Sequence, residues 1–217
     1  MIVLGIDPGL AHTGWGVIET RGSTCRARAY GCVSTDASLA IDVRLGRVFD
    51  EISRIVATYA PSQLAIEKVF FGENSRSAMA TAQARGAAIV ACAKAGLELG
   101  EYTPMQIKQA VVGTGSADKR QVIFMVRTVL GLDHDPRPDH CADALAAAIC
   151  HANLALTRRR RRDAAAVQML EQEQAQRRLE RALARDVTAA ATATHVAGGG
   201  RDRAAFSHVR QSRRNSQ

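Results

Sequence analysis

The sequence predicts an α/β domain, a mixed sheet of five short strands flanked by helices on both faces. Three observations predict it. Three β-like stretches separated by turn residues open the chain, strand and helix patterns alternate after them, and the aromatic content is only 5 Phe, 3 Tyr and 1 Trp. A core built mainly from Ala, Val, Leu and Ile follows, and an aromatic-rich β-sandwich is excluded.

The opening strands are expected at Ile2–Asp7, at Gly14–Glu19 after the Pro8-Gly9 turn, and at Arg26–Ser34 after Arg21-Gly22-Ser23. Such close spacing implies an antiparallel meander. Between Ser38 and Ala60, Leu45, Val48, Phe49, Ile52, Ile55, Val56 and Tyr59 recur at the three-and-four spacing of one helix face, and Pro61 stops that helix. Gln63–Phe70 reads as the next strand, Ser77–Ala95 as an Ala-rich helix, and Leu97–Thr103 as the last strand. Pro104 suits a helix first turn and opens a helix through Val112. Gly113-Thr114-Gly115-Ser116 breaks it before a helix from Asp118 to Leu130. Pro136 and Pro138 precede a long Ala/Leu helix over Asp139–Leu156.

Charge divides the chain sharply. The net charge is +8, yet residues 1–157 carry 15 Lys/Arg and 15 Asp/Glu, whereas residues 158–217 carry 14 and 6. The domain organisation expected is therefore a folded domain over 1–157 and a basic, disordered tail over 158–217, since the five-arginine block 158–162 and the Gly/Thr/Ala/Ser-rich end offer little to bury. Within the folded part, positions 68–127 hold 8 basic residues against 4 acids, enough for a locally positive face toward nucleic acid. Five cysteines without a CxxC pair read as reduced thiols. Asp7 interrupts the first apolar run, and no run approaches the roughly 20 residues of a membrane span. A cytoplasmic protein that contacts no membrane is expected.

Four positions carry the chemistry. Asp7 ends the first strand, where an acid before Pro-Gly also serves as an ordinary turn residue. Glu67 sits inside Leu64-Ala65-Ile66-Glu67, and a charge in an apolar strand needs a counterion. That counterion is either a cationic side chain, Lys68 or Arg85, or a metal. Helical spacing places Asp143 one turn from both Asp139 and His140. Asp139 can simply cap the helix, but a cap does not explain Asp143, a full turn inside a helix of Ala and Leu. Acids from two strand ends and one helix can converge on a point, and such a cluster repels itself unless cations occupy it. Hard oxygen ligands suit magnesium or manganese, and a pair of such ions serves phosphodiester hydrolysis. His140 beside carboxylates tilts the preference toward manganese. Lys108 and Lys119 flank the glycine loop at 113–116, a placement for gripping phosphate as well as for ordinary solvated lysines. Phe70 and Phe71 are adjacent aromatics at a strand end, fit for edge packing or for stacking on a base.

With these residues in view, the sequence resembles the RuvC family of Holliday-junction resolvases, within the ribonuclease H-like superfamily. The resemblance covers roughly residues 1–155. It is carried by Gly5-Ile6-Asp7-Pro8-Gly9, Thr13-Gly14-Trp15-Gly16, Ile66-Glu67-Lys68-Val69-Phe70, Gln83-Ala84-Arg85-Gly86, Tyr102-Thr103-Pro104, Ile107 through Gly113, Gly115 through Lys119, and Asp139 through Ala146. It implies a ribonuclease H-like five-stranded sheet and a homodimeric, magnesium-dependent endonuclease that binds four-way junction DNA. Such an enzyme nicks two strands of like polarity symmetrically during recombination and repair. It implies Asp7, Glu67, His140 and Asp143 as metal ligands, with Asp139 a neighbour, two magnesium ions, and manganese able to substitute. It further implies Lys108 and Lys119 near the scissile phosphate, Phe70 stacking on a junction base with Phe71 and Arg76 beside it on DNA, and RuvA and RuvB as branch-migration partners. The alternatives are another ribonuclease H-like nuclease acting on structured or RNA-containing duplexes, an actin-like or sugar-kinase ATPase sharing the Asp7-Pro8-Gly9 turn, and a catalytically silent junction-binding scaffold. An ATPase needs a second domain for which about 157 residues leave no room, and a silent scaffold would have no use for the acids.

Overall fold

The computed structural model describes residues 1–22, 24–69, 75–157, 168–174 and 176–177. The chain divides into two compact units, Met1–Arg159 and Arg160–Gln217. In the second, the described residues 168–174 and 176–177 are helical, and the rest of the expected tail lies outside the described residues. The first unit holds the sheet and the helices that pack on it.

Its strands are β1 (Ile2–Asp7), β2 (His12–Arg21), β3 (Thr24–Ser34), β4 (Gln63–Glu67) and β5 (Glu98–Tyr102), in the order β3-β2-β1-β4-β5. The meander β1-β2-β3 is antiparallel, and β1-β4 and β4-β5 are parallel, the mixed sheet expected. The helices are α1 (Ile41–Tyr59), α2 (Ser75–Lys94), α3 (Pro104–Val112), α4 (Lys119–Leu130) and α5 (residues 139–157).

Alternation along the strands sorts the core into two layers. Leu4, Ile6, Val17, Leu64 and Ile66 pack against Val48, Ile52 and Ile55 of α1 and Ala88, Ala91 and Cys92 of α2. Val3, Ile18 and Ala65 face the opposite way, onto Ile107 and Val111 of α3, Val122 and Val126 of α4, and Leu145 and Ile149 of α5. Helices therefore cover both faces, and α5 lies under the sheet centre with nearly every residue from Cys141 to Ala148 buried.

Several boundaries differ from the sequence reading for local reasons. α1 begins at Ile41 rather than Ser38 because Asp36 Oδ1 accepts from both the backbone N–H and the hydroxyl of Ser38, a side-chain turn that holds those residues out of the helix. β4 stops at Glu67 rather than Phe70. Its neighbour β5 ends at Tyr102, where Thr103 and Gln106 close a capping box with Pro104 in the first turn of α3, and Lys68 N–H to Tyr102 C=O, 2.8 Å, is the last bond across that edge among the described residues. A second capping box, Asp118 with Gln121, starts α4. Both boxes lie near the carboxyl ends of the parallel strands, the end at which open α/β sheets gather ligands.

Candidate active site

The site is assembled at that end by a glycine seam. Gly5 and Gly14 lie on neighbouring strands, with Gly16 paired to Gly5 and Gly14 paired to Asp7. A Cβ on Gly5 would collide with the Ala144 carbonyl, one on Gly14 with the His140 carbonyl and Cβ, and one on Gly16 with the Leu145 side chain. Without side chains at these three positions, the first turns of α5 sit directly on the sheet. Asp7 ends β1 on this same face, so the seating brings His140 and Asp143 to it.

Ligand-type atoms of Asp7, His140 and Asp143 all lie within 4.8 Å of one another. His140 Nδ1 and Asp7 Oδ2 are 2.7 Å apart. Asp139, 60% exposed against 20% for Asp7, stands outside the trio and pairs with Lys119 at 3.5 Å. Lys119, opening the first turn of α4, also donates to Asp143 Oδ2 at 3.1 Å. Partial desolvation pulls its ammonium pKa down, but bonds and attraction to Asp143 and Asp139 outweigh this and hold it above the usual value.

Glu67 ends β4 beside Asp7. Burial first, then repulsion from Asp7 and Asp143, pushes its carboxyl up to about 7, with Lys108 only partly offsetting them. Asp7 is raised as well, by burial and by Asp143, against the lowering effect of its bond to His140. Two acids that resist ionisation side by side mark an uncompensated concentration of negative charge. Oxygen donors around an imidazole, short of positive charge, fit hard divalent cations.

The cations expected as partners for Glu67 behave otherwise. Arg85 of α2 reaches it through the backbone, Nε donating to the Glu67 carbonyl at 3.0 Å, while its Nη2 pairs with Glu101. Lys68 is exposed. Lys108, in α3, acts on Glu67 through space. Phe70 and Phe71 lie outside the described residues, and Arg76 falls in the first turn of α2, where only the backbone is described. One neighbour was not anticipated from sequence. His12 of β2 stacks on His140 with ring centroids 5.7 Å apart, its Nδ1 at 3.2 Å from Ser34 Oγ. Its place two residues before Gly14 is the only sequence cue, and it becomes informative only with the β2 register known.

The Glu67 shift predicts a pH signature in metal-free protein. A carboxyl with a folded-state pKa raised from 4.5 to about 7 binds its proton more tightly when folded. Its contribution to stability is complete below the unfolded value and is lost as pH rises through the folded one. In EDTA the thermal midpoint should therefore fall between pH 4.5 and 7, Glu67→Gln should flatten that fall, and magnesium should restore stability most at the alkaline end. Thermal unfolding across pH with and without magnesium checks it.

The family model for crossover junction endodeoxyribonuclease RuvC matches residues 3–151. A curated RuvC of this name from Desulforamulus reducens is 47% identical over 157 residues, covering 72% of this chain and 96% of its own. That from Moorella thermoacetica is 45% identical over 165 residues, covering 76% and 99%. Among solved structures, Thermus thermophilus RuvC in complex with a Holliday junction substrate superposes with a TM-score of 0.69 at 40% identity, covering 71% of this chain and 94% of that one. Matched across its folded unit in both sequence and architecture, this chain belongs to the RuvC family of crossover junction endodeoxyribonucleases.

Proposed function

We propose that this protein resolves four-way DNA junctions by metal-dependent hydrolysis, nicking two strands of like polarity symmetrically in recombination and repair. The observation that carries this reading is the gathering of Asp7, His140 and Asp143 within 4.8 Å, with Glu67 beside them and two lysines on the rim. The junction bound to the Thermus thermophilus relative supports the choice of substrate.

Asp7, Glu67, His140 and Asp143 hold the metal, magnesium in the working enzyme and two ions in number, with manganese able to substitute. Divalent ions bound there lower the pKa of water and stabilise charge on the departing oxygen. The chain's own part is positional. Asp7 and Glu67 present their carboxylates from adjacent strand ends, and α5 supplies the other two ligands at i and i+3 from a rigid element. Lys119 orients Asp143, and with Lys108 it sets positive charge where a backbone phosphate approaches. Water attacks the phosphodiester directly, leaving a 5′-phosphate and a 3′-hydroxyl that can be rejoined, with no covalent protein–DNA intermediate. Phe70, Phe71 and Arg76, on the segment leaving β4 and entering α2, complete the DNA contacts, Phe70 by stacking on a junction base. Two copies acting as a homodimer account for paired nicks. RuvA and RuvB are the branch-migration partners, and the protein works in the cytoplasm. Among the described residues no helix is long and apolar enough to cross a membrane.

The test is side-by-side cleavage of a mobile four-way junction, a linear duplex and an RNA–DNA hybrid in magnesium. Paired nicks confined to the junction are expected. Preferential cutting of the hybrid would assign the site to a different ribonuclease H-like activity.

A further inference from the structure

Arg85 and Glu101 form a device at the back of the site. α2 delivers the Arg85 guanidinium to the carboxyl end of β4, where its Nε bonds the Glu67 carbonyl at 3.0 Å. Its side chain is only 18% exposed, and a guanidinium keeps its charge at any working pH. A carboxylate is the strongest partner such a group can find, and that of Glu67 belongs to the very residue whose carbonyl it already holds. Among the described residues, no ion pair reaches the Glu67 carboxylate. Instead Nη2 pairs with Glu101 of β5.

Register explains how the two acids are kept apart. Glu101 lies opposite Ile66, whose side chain packs in the layer of α1 and α2. Ala65 packs in the other layer, so by alternation Glu67 leaves the sheet on the α5 side with Asp7. The guanidinium, carried by α2 on the Glu101 side of the sheet, bonds the Glu67 carbonyl at the strand end and pairs with the acid of its own face.

We propose that Glu101 is a positioning residue for the metal site: by engaging Arg85 it keeps that guanidinium off the Glu67 carboxylate, leaving the carboxylate free for a divalent ion. The inference rests on Glu67 being a metal ligand, as proposed above. Without Glu101, Arg85 becomes an internal competitor for the metal. The carbonyl bond has the separate task of steadying the end of β4, which ends one bond from the loop toward α2.

Manganese binding to the full-length chain, measured by titration calorimetry without DNA, tests this. Glu67→Gln weakens the ion if Glu67 is a ligand. Glu101→Gln should weaken manganese by about tenfold, the order of one hydrogen bond to a charged group. Glu101→Asp, which keeps the negative charge, should stay close to the parent. The deciding arm is the double variant Arg85→Gln/Glu101→Gln, which should bind manganese more tightly than Glu101→Gln alone, because the competitor is gone. Mere loosening of the strand end predicts the reverse, since the double variant loses the carbonyl bond as well. Parent-like affinity in Glu101→Gln, or a double variant no better than the single, overturns the proposal while leaving Glu67 a ligand. Parent-like affinity in Glu67→Gln overturns both. Thermal midpoints recorded beside each titration confirm that folded protein is compared.

Discussion

Asp7→Asn is expected to abolish junction nicking while leaving junction binding intact. The substitution keeps size and hydrogen-bonding capacity but removes the charge at the centre of the trio, 2.7 Å from His140 Nδ1. Losing even an outer-shell partner of a metal ligand costs about 10–100-fold, so losing Asp7 from the metal site proposed above should cost more than about a hundredfold in rate. Burial, and after it repulsion from Asp143, hold the Asp7 pKa above its usual value against the lowering effect of the His140 bond, so the ionised acid is disfavoured before any ion binds. Neutralising it therefore relieves repulsion, and the thermal midpoint of the metal-free protein should hold or rise. A gel-shift assay in calcium beside a nicking assay in magnesium separates binding from chemistry. Asp139→Asn is the internal control: outside the trio and largely exposed, it should leave the rate within a few fold. Cleavage retained by Asp7→Asn in magnesium would remove Asp7 from the reaction.

Gly14→Ala should be nearly as damaging, although Gly14 bears no functional group. Its missing Cβ is the space occupied by the backbone of His140, and a helix backbone buried under a sheet cannot swing aside as a side chain can. Overpacking of this kind costs about 1–3 kcal/mol, and relief requires the first turn of α5 to move away from Asp7. Manganese affinity and nicking should fall together, with a lower thermal midpoint. Gly16→Ala provides the comparison, because its Cβ would press on the Leu145 side chain, which has other rotamers, while the Leu145 backbone N at 3.4 Å is in ordinary contact. The expected pattern is a stability loss for both variants and a metal-binding defect chiefly in Gly14→Ala. Equal metal affinity in the two would mean that the seam supports folding without aligning the site.

The sheet was legible because its strands are short, apolar and bounded by Gly, Pro and Ser, and because Pro61 and Pro104 punctuate the helices. The ends of β4 and α1 were not. Each is decided by a bond to something distant or to a side chain, Tyr102 in one case and Asp36 in the other. The acids were legible by type, since Glu67 in an apolar strand and Asp143 inside an Ala/Leu helix both need a reason to be there. Arg85 shows the limit of such reasoning. As a counterion for Glu67 it was a sensible expectation, and it does reach that residue, but at the carbonyl, with its charge committed to Glu101. His12 and the Gly5, Gly14 and Gly16 seam went unread for the same reason, because nothing in a glycine or a strand histidine names the helix that will lie against it.

Periodicity, turn chemistry and the cost of burying charge suffice for the class of fold, the family to which the motifs point and the residue types able to hold a hard cation. Which of two adjacent α5 side chains joins Asp7, which acid Arg85 neutralises and how closely the helix approaches the sheet emerge from the folded arrangement alone. Those outcomes depend on register and on contacts between residues as many as 133 positions apart. Local preference has no way to encode such distances until the backbone has closed around them.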